Sequence, residues 1–81
     1  MSPTLFESKK MQFRINSKNE HNPPHVHVVR GGAEAVIEIN TSEVMFSEGF
    51  SRSALREIVE FVTQNRADFL EAWNEYFGKK D

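Results

Sequence analysis

The chain has 81 residues, a formal net charge of −2 and no cysteine. That length suits one domain, residues 1–81, and the missing thiols exclude disulfides and thiolate metal sites, so any metal would rest on histidine and carboxylate. No apolar stretch approaches the roughly 18 residues that span a bilayer, and residues 1–7 lack both parts of a signal peptide. The expectation is a cytoplasmic protein with no membrane contact.

The charge is unevenly spread. Residues 1–32 carry five basic groups (Lys9, Lys10, Arg14, Lys18 and Arg30) against two acids, and residues 33–81 carry five basic groups against ten acids. The five N-terminal cations are therefore the expected contacts for RNA or an acidic partner. Such a distribution is also common on the surface of an ordinary small domain.

In chain order, Leu5-Phe6-Glu7 reads as a short strand and Ser8-Lys9-Lys10 as a turn. Met11-Gln12-Phe13-Arg14-Ile15-Asn16 alternates with period two, as a half-buried strand does. Residues 17–24 hold two asparagines and Pro23-Pro24 and form a loop. His25-Val26-His27-Val28-Val29-Arg30 is the next strand, Gly31-Gly32 a two-residue hairpin turn in which both glycines can take positive φ, and residues 33–39 the return strand. Ala33, Ala35, Ile37 and Ile39 share one face of that return strand. On the first arm Val26 and Val28 share a face, and His25, His27 and Val29 take the other. Both faces of the hairpin carry apolar residues, so one is free to pack on a partner, a second copy of the chain included.

Residues 43–46 read as a short strand or an apolar flap. Ser51 or Ser53 offers an N-cap, and Leu55, Ile58, Val59 and Val62 predict an amphipathic helix over about residues 52–64. Phe69, Leu70, Trp73, Tyr76 and Phe77 form a second stripe, closed by a C-cap glycine at Gly78 and by Lys79-Lys80. Asn65-Arg66 separates the two. The fold class is thus α+β: a small antiparallel sheet of three to four strands including the Gly-Gly hairpin, covered on one face by two C-terminal helices.

All three histidines fall in Glu20-His21-Asn22-Pro23-Pro24-His25-Val26-His27. His25 and His27, two apart in a strand, leave the same face, and His21 can supply a third nitrogen from the stiff loop before them. Three imidazoles with one open position are the donor set of a catalytic divalent metal such as zinc. Glu20, Glu34 or Glu38 would serve as base or supporting carboxylate. The candidate site is therefore Glu20, His21, Asn22, His25 and His27, with His21, His25 and His27 as metal ligands. Against this stands a plainer reading, in which His25 and His27 are hydrogen-bonded residues of the fold and the prolines staple a loop. Metal-free cleavage of RNA by histidine, aided by Arg14 or Arg30, is a further option.

The run from Asn19 to Val28 resembles the signature of a small bacterial family, domain of unknown function 4160. So do Gly32 with Glu34-Ala35, Gly49-Phe50-Ser51, Leu55-Arg56-Glu57-Ile58 and Trp73-Asn74-Glu75-Tyr76-Phe77-Gly78. Residues 41–48 depart from the pattern and are expected to form a variable loop. The resemblance implies a free-standing bacterial protein and one half of a two-gene unit in the manner of toxin–antitoxin modules. It assigns no catalytic residue. Three functions are expected in turn. The first is a toxin–antitoxin-like component that binds a small protein encoded nearby, and RNA. The second is a metal-dependent hydrolase built on the three histidines. The third is a structural interaction module without catalysis.

Overall fold

A computed structural model describes residues 4–8, 10–15 and 23–75, and of residues 4–8 the backbone alone. The elements run β1 (Thr4–Ser8), β2 (Met11–Arg14), β3 (His25–Arg30), β4 (Ala33–Glu38), β5 (Val44–Glu48), α1 (Arg52–Gln64) and α2 (Arg66–Trp73). The five strands form one antiparallel meander in the order β1-β2-β3-β4-β5. This is the expected α+β arrangement, with both short outer segments paired as edge strands. Residues 41–48, expected as a variable loop, contain β5; pairing with β4 satisfies backbone groups that a free loop would leave to water.

Alternation sorts the side chains. Met11, Phe13 and Ile15, then Val26 and Val28, then Ala35, Ile37 and Ile39, all point to an inner face and are buried. Phe13, Val28 and Ala35 stand side by side in register across three strands. Ile58 and Val62 of α1 and Phe69 and Trp73 of α2 close this face. The Phe13 ring lies 4.7 Å from Phe61 and 5.9 Å from Phe69, both tilted contacts. Each of the large apolar side chains buried here contributes about 1.5–3 kcal/mol of transfer free energy.

Arg30 pairs with Ala33 across Gly31 and Gly32. Of the two glycines only Gly31 has positive φ (57°), so the tight connection needs one left-handed residue, not two. Gly49, at φ 94°, follows β5 against Ala33, where a Cβ would meet the Ala33 Cα at 3.0 Å. Ser51 caps α1 by accepting the Ala54 N–H at 3.1 Å, as expected for one of the two candidate serines. The helices break at Asn65. There Arg66 donates to the Ile39 carbonyl (2.8 Å) and to Ser42 Oγ (2.7 Å), and Ser42 Oγ lies 2.6 Å from Thr63 Oγ1, so one cation ties the helix junction to the β4–β5 connection. Tyr76, Phe77, Gly78, Lys79 and Lys80 lie outside the described residues.

The helix layer stops short of β5. No β5 residue belongs to the core, and all five of its residues are exposed, with Val44, Met45 and Phe46 at 38%, 46% and 45%. Among the described residues no helix is long and apolar enough to cross a membrane.

Candidate functional site

The outer face of the sheet is read off the register in two rows. Arg14, His27, Val36 and Phe46 stand side by side across β2 to β5, and Gln12, Val29, Glu34 and Glu48 form the row beside them. His25 opposes Glu38. The two histidines thus sit at the start of β3, just after the Pro23-Pro24 turn, and their rings are 5.3 Å apart edge to face.

The two imidazoles differ in surroundings. His25 is only 2% exposed. Its Nδ1–H donates to the Pro23 carbonyl at 2.8 Å, and its ring lies 5.2 Å from that of Trp73 at the end of α2. The proline turn, the strand and the last turn of the helix therefore meet on one ring. His27 is partly exposed, with Nδ1 3.7 Å from the Glu34 carboxylate, near enough for attraction between charges and too long for a hydrogen bond. Burial pushes the His27 pKa below its ordinary value; the neighbouring His25 adds to that, and Glu34 opposes it in part. Its Nε2 is buried and has no hydrogen-bond partner among the described residues, and the same holds for Nε of Arg14, its neighbour in the row. Arg14 spends its terminal nitrogen on Gln12 Oε1 at 2.5 Å.

In both histidines Nδ1 faces an oxygen, and at His25 the bond to the Pro23 carbonyl fixes the tautomer, as such a bond does in metal-bound imidazoles. Among the described residues, however, no group of three or more histidine, aspartate or glutamate side chains could hold a metal ion. Glu20, His21 and Asn22 of the candidate site lie outside the described residues.

Three of the five basic candidates, Lys10, Arg14 and Arg30, lie among the described residues. Arg14 is half-buried in the sheet beside His27. Lys10 precedes β2, and Arg30 ends β3 at the hairpin end, its guanidinium 5.4 Å above the Phe50 ring. Lys9 and Lys18 lie outside the described residues. Sequence reasoning overlooked two features. One is the Trp73–His25 contact, which joins residues 48 positions apart and has no local signal. The other is the extent of β5, which was read over residues 43–46 as a short strand or an apolar flap and runs as a strand from Val44 to Glu48.

No curated protein and no solved structure matches the chain. A family model described as Domain of unknown function (DUF4160) matches residues 11–74, from the first strand of the described core to the end of α2. With most of its length inside that match, and with four of the five strands, both helices and the histidine strand within it, the chain belongs to this family of unknown function.

Proposed function

We propose that the protein is one component of a toxin–antitoxin-like two-gene module and acts by binding a small protein encoded beside it, with RNA as a second contact. One observation carries the protein-binding part: an edge strand whose apolar residues, Val44, Met45 and Phe46, face solvent outside the core. Exposed apolar edges are what monomeric domains avoid and partners cover. The gene-pair part rests on the family resemblance, and the same reading has the protein in the cytoplasm. Co-expression with the adjacent gene should give a complex that survives gel filtration. Separate elution, with no growth effect from either gene, would sink the proposal.

A second reading has its own support. His25 and His27 share a strand face with Nδ1 of each turned to an oxygen, which suits a metal-dependent hydrolase with His21 as third ligand and zinc as the metal. Elemental analysis of protein purified without a histidine tag is the test. Substoichiometric zinc, nickel and manganese, together with no thermal shift on adding them, would remove this reading.

A further inference from the structure

We propose that β5 takes an extended, basic segment of the partner protein as a sixth strand of the sheet. This rests on the protein-binding reading above and narrows it to one edge and one partner chemistry. Among the described residues β5 pairs with β4 on one side only, so its other side presents backbone groups with no strand beside them, the template for strand addition. Its side chains supply an apolar centre: Phe46 opposes Val36 on the outer face, and Met45 and Val44 are exposed beside it.

The charge around that centre has one sign. Residues 31–51 contain four glutamates, Glu34, Glu38, Glu43 and Glu48, and no lysine or arginine. Glu34 and Glu48 oppose one another directly across β4 and β5, a like-charged pair that costs stability unless something outside relieves it. Glu34 has His27 at 3.7 Å, and among the described residues no ion pair reaches Glu38, Glu43 or Glu48.

These carboxylates also select the occupant. A second copy paired edge to edge would bring its own four glutamates against these four, with no cation on either β5. A strand carrying lysine or arginine beside apolar residues would meet opposite charge at both ends of β5 and an apolar surface in the middle.

The test uses the complex with the product of the adjacent gene. Affinity is measured by calorimetry for the unaltered protein and for three variants: Glu43→Lys with Glu48→Lys, Phe46→Ala, and Glu60→Lys on the exposed side of α1 as control. Hydrogen exchange is followed in parallel, and melting curves check that each variant folds. The charge reversal and the loss of Phe46 should each weaken binding about tenfold or more, with the control unchanged. Amides of residues 44–48 should gain protection in the complex. A complex indifferent to both β5 variants, or one that protects another segment, overturns the docking surface and leaves the two-gene reading standing. A dimer of the protein alone with protected β5 amides overturns the choice of a basic partner in favour of a second copy. The absence of any complex removes both the reading and the docking surface.

Discussion

At the residue scale, His25 and His27 show how two identical side chains on one strand face are given different work. His25 is held by the Pro23 carbonyl and set at a tilt against Trp73, so it belongs to the fold. His27 is the partly exposed one, beside the Glu34 carboxylate. Burial lowers its pKa, so the folded protein resists protonation there while the unfolded chain takes a proton near the ordinary value of 6.5. Above that pH both states are neutral and the group has no effect. As pH falls through 6.5 the unfolded state gains protons first, and the fold loses stability until the pH is below the folded pKa. Melting temperature should therefore fall between pH 7.5 and 5, and His27→Gln should flatten the slope. A slope unchanged in the variant, or steeper, would show that other groups cause it. Period-two alternation was enough to place the two imidazoles on one face. It carried no information on their unequal burial, because that depends on Trp73, brought in by a helix far along the chain.

At the scale of elements, short signals fix the boundaries. Removing the Ser51 hydroxyl by Ser51→Ala leaves the Ala54 N–H without its cap and should cost about 1 kcal/mol in denaturant unfolding. Gly49→Ala should cost about 1–2 kcal/mol or more, since φ 94° disfavours any side chain and the added Cβ meets Ala33. A Gly49 variant as stable as the parent would mean that the turn after β5 can rearrange freely. The helices and the inner strands were legible because their apolar spacing is regular and bounded by serine, glycine or asparagine. β5 was not read as a full strand, because Val44-Met45-Phe46 has no alternation: none of its residues is sorted by a core. The bond from Arg66 to Ser42 was equally invisible, since nothing local marks an arginine that satisfies a loop 24 residues earlier.

For the whole molecule the decisive quantity is a total stability of about 4–12 kcal/mol, ordinary for a domain of this length. Phe13 is fully buried between Phe61 and Phe69, and Phe13→Ala should cost about 3–5 kcal/mol, enough to leave the protein largely unfolded at 37 °C if the total lies at the low end. Phe46→Ala, at an exposed position outside the core, should stay within about 0.5 kcal/mol of the parent. Paired urea titrations of the two variants check both values, and equal losses would contradict the division of the sheet into a packed part and an uncovered one. That division has a consequence for how such a protein can change over generations. The side chains that keep it folded and those on β5 are separate sets, so substitutions in one add to substitutions in the other with little coupling. A duplicated gene could rewrite the five residues of β5 and acquire a new partner while its scaffold stayed as it was. Recognition would then diverge among copies faster than architecture.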